Sequence, residues 1–545
     1  MAEFNARVRA VCDLNVAESR EYCGRHEYDG VPQDLSPSGV AAGLLGVSAA
    51  RSAGGPMPDP HDEAHLRAFE DLQQVIFGDL ELHRRNPMFL LGELDLACYD
   101  KDYAPAEARY AARARHLAAW PATIDAALES LDQVSAPVAE ALLPVIRGLA
   151  AGIPSGADGT PSGADGTLSG ADGTLSGADG TPSGEESLAA SVDPVAREAA
   201  LAAHARLVAR VEEAARSGPP DPALGAAALT RWLSTAEAIP VDLGDLARRA
   251  DAERDRLLGR LAESTAKIDG ERPPLDVARE LVRDHPDRAG VIETAKYWTR
   301  RALDFTRERD LVPFHDGVCL VGEAPESRRW AMAMISTNAP AEPDAPSWYW
   351  ITPPDESWPE AEAEEWLEVF SATTLPAITV HEVAPGHFSH HQAVRRTEGD
   401  VRRTLFSPAF VEGWAHYAEE LCVEEGFLAD DPRFAIGVWL EALVRVTRLA
   451  SAIGVHTLGW SVADAARRFE TDTHLLGTAA LSEARRATFD ATYGRYTWGK
   501  LEILRMREIA RDTWGTGYTA KRFHTALLAL GSAPLGLLRA AIERG

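Results

Sequence analysis

Apolar residues recur every three to four positions along much of the chain, the spacing of helices that bury one face. Residues 60–150 are dense in Ala, Leu, Glu and Arg, and Ala64–Leu80 carries Leu66, Phe69, Leu72 and Ile76 on one stripe. Ala199–Ala215 and Asp276–Arg283 repeat the pattern within residues 190–312. The texture then changes: Trp330–Ile335 and Trp348–Thr352 are short aromatic or apolar runs bounded by Pro, Ser and Asp, which predicts strands. Helices resume afterwards. Pro376 follows Thr373-Thr374 as a first-turn residue, Ser407-Pro408 opens Ala409–Glu425 with Gly426 placed to stop it, and Arg495–Thr513 ends at Trp514-Gly515. The expectation is a mainly α, large multi-helix fold with a small β-sheet just ahead of residue 381.

One stretch breaks every period. From Pro154 the chain repeats Ser-Gly-Ala-Asp-Gly-Thr units seven residues long, with no apolar seam for a coiled coil and too little apolar surface to offset ordering entropy. A disordered Gly/Ser/Asp-rich insert over 151–188 follows, since the Asp-Gly pairs lack a calcium-loop pattern. It separates a helical part, 61–150, from a second helical part, 189–545, that would carry the chemistry. Residues 1–60 are expected to be an N-terminal extension, with 61–545 forming one composite fold.

The 545 residues are 45% hydrophobic and 25% charged, a globular composition. Acidic residues outnumber basic ones by 83 to 55, and the net charge of −28 disfavours nucleic acid and anionic membrane as partners. No secretory leader is recognisable at the N-terminus and no apolar run of spanning length occurs. The five cysteines, at 12, 23, 98, 319 and 422, lack metal-site spacing and are expected as small buried apolar groups. Together these predict a cytoplasmic protein.

Chemistry concentrates in HEVAPGH, residues 381–387. His381 and Glu382 offer a metal-binding imidazole and an adjacent carboxylate to take a proton from water. On an unbroken helix His387 would be rotated by about 240° and displaced by about 9 Å from His381, so both could not reach one ion. Pro385 removes a helical N–H and crowds the preceding turn, and Gly386 permits backbone that other residues avoid. The pair therefore predicts a departure from α geometry between residues 383 and 387. In FVEGWAHYAEE, Glu412, His416 and Glu419 share one helix face, so Glu412 is a plausible third ligand and Glu419 could orient a ligand histidine. A solvated acidic face is the plain alternative. His387 and His391, four residues apart, form a rival ligand pair, although His390 and His391 are expected to be exposed and unligated. His416 is expected to contact substrate or support a ligand, with a second metal as the alternative.

HEVAPGH, FVEGWAHYAEEL, and Tyr496-x-x-Gly499 with Arg505 together resemble the bacterial "domain of unknown function 885" proteins. The resemblance runs through about residues 60–545, including His83-Arg84-Arg85-Asn86-Pro87 and Pro534-Leu535. That family is similar to neurolysin-type zinc metallopeptidases, helical proteins built around a deep channel. The resemblance implies Zn2+ held by His381, His387 and Glu412, Glu382 as general base, and Tyr496 as oxyanion donor, with Tyr493 its neighbouring alternative. Arg505 and His456 join His416, Glu419 and Tyr493 as residues around the ligands or substrate. The chain departs from the family at PGHFSHHQ, at Ala452 and at Asp490-Ala491-Thr492-Tyr493. The implied activity is hydrolysis of an amide bond in short peptides or amide-containing small molecules. A metal-dependent, non-hydrolytic enzyme of a small metabolite and an inactive helical binding protein are the alternatives.

Overall fold

Helices start where a short polar side chain precedes proline. Asp59-Pro60, Asp193-Pro194, Ser407-Pro408 and Asp431-Pro432 each begin a helix, the polar side chain accepting a first-turn N–H. The computed structural model describes residues 4–153, 192–313, 317–325, 328–329 and 331–545. It is mainly helical, with one small sheet.

The periodic segments lie within helices: Ala199–Ala215 inside Pro194–Ser217, Asp276–Arg283 largely within Pro274–Leu281, Ala409–Glu425 within one residue of Pro408–Glu424, and Arg495–Thr513 as Arg495–Trp514. The Ala64–Leu80 stripe begins earlier, at Pro60, and widens to π-helical geometry over Gln74–Asp79.

The sheet has three strands in the order β1-β3-β2: β1 Cys319–Glu323, β2 Ala333–Ser336 and β3 Ser347–Ile351. β3 pairs parallel to β1 and antiparallel to β2. Two strands coincide with the aromatic runs, although Trp330 lies outside the described residues. β1 has no clear sequence signal because Gly322 interrupts it. That glycine is needed: a Cβ there would lie 3.0 Å from the Trp348 ring and 3.1 Å from the Trp350 ring, which stack on each other above it.

Residues 1–60 are not an appendage. Ala6–Cys12, Val16–Cys23 and Pro37–Ala53 are helices, and Leu14, Leu35 and Val47 are buried with Leu90, Trp120 and Leu142 in one core. Leu207 and Val211, beyond the repeat, belong to that core too. The expected boundary at 188/189 therefore does not separate cores. Residues 154–188 of the expected insert lie outside the described residues, as do residues 189–191 that follow it. The second core extends from Leu229 to Ile542, and a third joins the sheet to Phe370, Val383 and Phe388. Four cysteines are buried and Cys319 is half-buried, all as free thiols. Among the described residues no helix is long and apolar enough to cross a membrane.

Candidate metal centre

The chain turns sharply at HEVAPGH. One helix, Leu375–Glu382, ends with Val383 at φ −105°, ψ −91°; the Ala384–Pro385 peptide is cis; and a second helix starts at His387. Gly386 donates its N–H back to the Val380 carbonyl at 3.1 Å. A Cβ on Gly386 would lie 1.8 Å from the His381 carbonyl oxygen and 2.4 Å from that of Val380, so no side chain fits. The bend brings the His381 and His387 rings face to edge, centroids 4.7 Å apart and planes at 86°. Trp414 fastens it to the next helix by donating its indole N–H to the Pro385 carbonyl at 3.0 Å.

That next helix, Pro408–Glu424, supplies Glu412. Its Oε2 lies 3.4 Å from His387 Nε2 and 3.7 Å from His381 Nε2, and ligand atoms of all three residues lie within 4.8 Å of one another. These separations exceed good hydrogen bonds but match a coordination shell: ligands about 2.05 Å from a tetrahedral centre stand about 3.3 Å apart. Two imidazoles and a carboxylate are also the donor set of a catalytic zinc site with an open position. The residues present therefore fit the ion.

The surroundings favour positive charge. Burial and Arg445 oppose protonation of His381, but Glu412 and Glu419 outweigh them, and its pKa is pushed up to about 9. Burial opposes the Glu412 charge, yet His381 and His387 hold its carboxyl well below the usual range. Beneath the cluster, the fully buried Glu419 lies 2.6 Å from His381 Nδ1, accepts Arg445 Nη1 at 3.1 Å, and lies 3.1 Å from His416 Nδ1. Bonding at Nδ1 leaves Nε2 of His381 directed at the cluster, the arrangement that fixes a ligand histidine.

Glu382, next to His381, is half-buried beside β2 and accepts the Ile335 N–H at 2.9 Å through Oε2. Its other oxygen makes no bond among the described residues. Tyr496 comes from Arg495–Trp514, which touches the Glu412 helix backbone to backbone. A Cβ on Gly413 would lie 2.5 Å from Gly499 Cα, and one on Gly499 would lie 1.9 Å from the Ala409 carbonyl oxygen. Guanidinium carbons of Arg448, Arg495 and Arg445 lie 5.2, 5.5 and 5.9 Å from the Tyr496 ring centroid. The Tyr496 hydroxyl forms no hydrogen bond among the described residues.

The family described as "Bacterial protein of unknown function (DUF885)" matches residues 22–542. The chain belongs to that family. No curated protein matches it. Among solved structures it is similar to "a putative lipoprotein of unknown function" from Shewanella oneidensis, at TM-score 0.74 and 20% identity over 99% of both chains. It is similar also to "the putative lipoprotein" from Colwellia psychrerythraea, at TM-score 0.77 and 15% identity over 99% of this chain and 97% of that one. The cytoplasmic assignment does not stand, because both of these neighbours are described as putative lipoproteins.

Several expected site residues lie elsewhere. Arg505 is nine residues beyond Tyr496, about 900° of helix and hence the opposite face; it is exposed and donates to Glu502 at 2.8 Å. His456 is eleven residues past Arg445, about 16 Å along the helix, where Nε2 reaches the Ala487 carbonyl at 2.8 Å. Tyr493 is fully buried and spends its hydroxyl on Glu483. His390 is unligated but not exposed: it is fully buried against Ser532 and Phe410, and burial pushes its pKa well down. His391 is half-buried with its ring 6.5 Å from that of His387, so His381 rather than His391 joins His387. His416 leans on Glu419, and no second metal cluster forms among the described residues. Sequence reasoning missed Arg445 and Trp414. Arg445 had a signal: a cation inside the otherwise apolar run Ala442–Val446 of a buried helix needs a buried partner.

Proposed function

We propose that this DUF885 protein is a zinc-dependent hydrolase of peptidase type, cleaving an amide bond in short peptides or small amides. The observation that carries the proposal is the convergence of His381, His387 and Glu412 from three separate helical segments, with Glu382 adjacent and Glu419 beneath. The chain order His-Glu, His, then Glu on a later helix is also that of neurolysin-type metallopeptidases, which supports the same reading. His381, His387 and Glu412 would hold the ion, which when bound acidifies a water and polarises a carbonyl.

The protein's own groups do the rest. Glu382 takes the proton on the oxygen left free by Ile335 and delivers it to the leaving amine. The Ile335 N–H keeps that carboxylate from swinging away. The Tyr496 hydroxyl, unbonded among the described residues, donates to the oxyanion. Glu419 fixes the tautomer and ring plane of His381.

The test is direct. Purified protein should contain about one zinc per chain, and His381→Ala should lose it; metal-free wild type ends the proposal. Glu382→Gln should keep the metal and lose roughly 10²–10⁴-fold in peptide hydrolysis. Undiminished hydrolysis by that variant would remove Glu382 as the base.

A further inference from the structure

Beside Tyr496 stands a tier of arginines that the proposed hydrolysis does not use. Arg486 lies 4.5 Å from the Tyr493 ring centroid, Arg448 is 5.0 Å from Tyr493 and 5.2 Å from Tyr496, and Arg495 is 5.5 Å from Tyr496. The three guanidiniums and two phenol rings form one continuous stack. Two carboxylates answer three cations. Glu483 takes Arg448 at 2.7 and 2.8 Å. Asp490 takes Arg495 at 2.7 and 3.0 Å and Arg486 only at 3.3 Å. Counting these direct pairs alone, the cations outnumber the carboxylates by one, although Glu412 and Glu18 also act on Arg495 at longer range.

The tier also keeps spare donors. Arg448 Nη1, Arg486 Nη1 and Arg495 Nε make no bond among the described residues, and none is a buried orphan atom, so each reaches solvent. Arg495 is within electrostatic reach of both Glu412 and Glu18.

We propose that Arg448, Arg486 and Arg495 form an anion subsite for the free carboxylate of a peptide, making this an exopeptidase acting at the C-terminal end of its substrate. Guanidinium forks match the plane of a carboxylate. Arg448 and Arg495 pack on Tyr496, the proposed oxyanion donor, so a carboxylate held there ends the chain close to the scissile bond. Arg486 is the least committed of the three, with the longest bonds to Asp490.

The inference rests on the proposed hydrolysis, and two assays separate them. In the first, zinc-loaded wild type, Arg486→Gln and Arg486→Lys are given an N-acetylated tripeptide with either a free C-terminal carboxylate or a C-terminal amide. Wild type should favour the free acid on the order of tenfold to a hundredfold in kcat/KM, the range of one charged hydrogen bond. The ratio should fall toward one in Arg486→Gln and recover in part in Arg486→Lys. Equal rates in wild type, or a ratio untouched by Arg486→Gln, overturns the subsite. The second assay is calorimetric binding of N-acetylalanine against its amide. If neither tripeptide is cut, the hydrolase proposal fails, and binding alone decides. Acid-selective binding lost in Arg486→Gln sustains the subsite, and absence of selectivity in wild type removes it.

Discussion

Replacing Glu419 by Gln tests whether the cluster depends on the charge beneath it. The substitution preserves shape but removes the charge at a fully buried position bonded at 2.6 Å to His381 and at 3.1 Å to Arg445 and His416. An amide has one acceptor oxygen where three donors converge, so its NH2 end must face a donor. His381 keeps at best a neutral acceptor, about half as strong as a charged one. Loss of such support costs a ligand histidine about 10–100-fold in metal affinity, or about 1.4–2.7 kcal/mol. Arg445 retains Glu441 at 3.4 Å, so the variant should fold with a loss of about 1–3 kcal/mol. Zinc affinity, measured by competition with a chromogenic chelator at fixed pH on protein whose thermal unfolding is cooperative, is the assay. A folded Glu419→Gln protein that binds zinc within about twofold of wild type would refute the claim that Glu419 orients His381.

Other outcomes follow from the same geometry. Gly499→Ala places a methyl 1.9 Å from the Ala409 carbonyl, and should cost about 1–3 kcal/mol in urea unfolding together with activity; an unchanged midpoint would contradict the close contact. His26 pairs with Asp29 and Glu342 at 3.2 Å; burial opposes its charge, but the two carboxylates push its pKa up to about 9. A folded pKa above the unfolded one means stabilisation present below about pH 6.5 and lost as pH rises through 9, with a ceiling of about 3 kcal/mol lowered by partial exposure of the ring. His26→Gln should flatten stability against pH across that window; a profile parallel to wild type would show that the pair contributes nothing.

The helices were legible because capping residues and apolar stripes are local. So was the bend at HEVAPGH, since Pro385 and Gly386 leave the backbone few options. The ligand cluster was legible by chemistry but not by distance: only the fold shows Glu412 3.4 Å from His387. What the chain hid was long-range. Arg445 reaches Glu419 across two helices, and Gly322 makes room for tryptophans 26 and 28 residues away. His390 reads as a surface residue because HFSHHQ is polar, yet Ser532, 142 residues later, covers it. Arg505 failed for a simpler reason, helical phase, and could have been set aside by counting from Tyr496.

The contact between Gly413 and Gly499 has a consequence for how this protein can vary. With no side chain between the two helices, the spacing of Glu412 and Tyr496 is set by main chain, not by the volumes of neighbouring core residues. Substitutions elsewhere in the core can alter stability while the reacting groups keep their separation. Sequence divergence in the surrounding core is thereby uncoupled from the spacing of the groups at the proposed site.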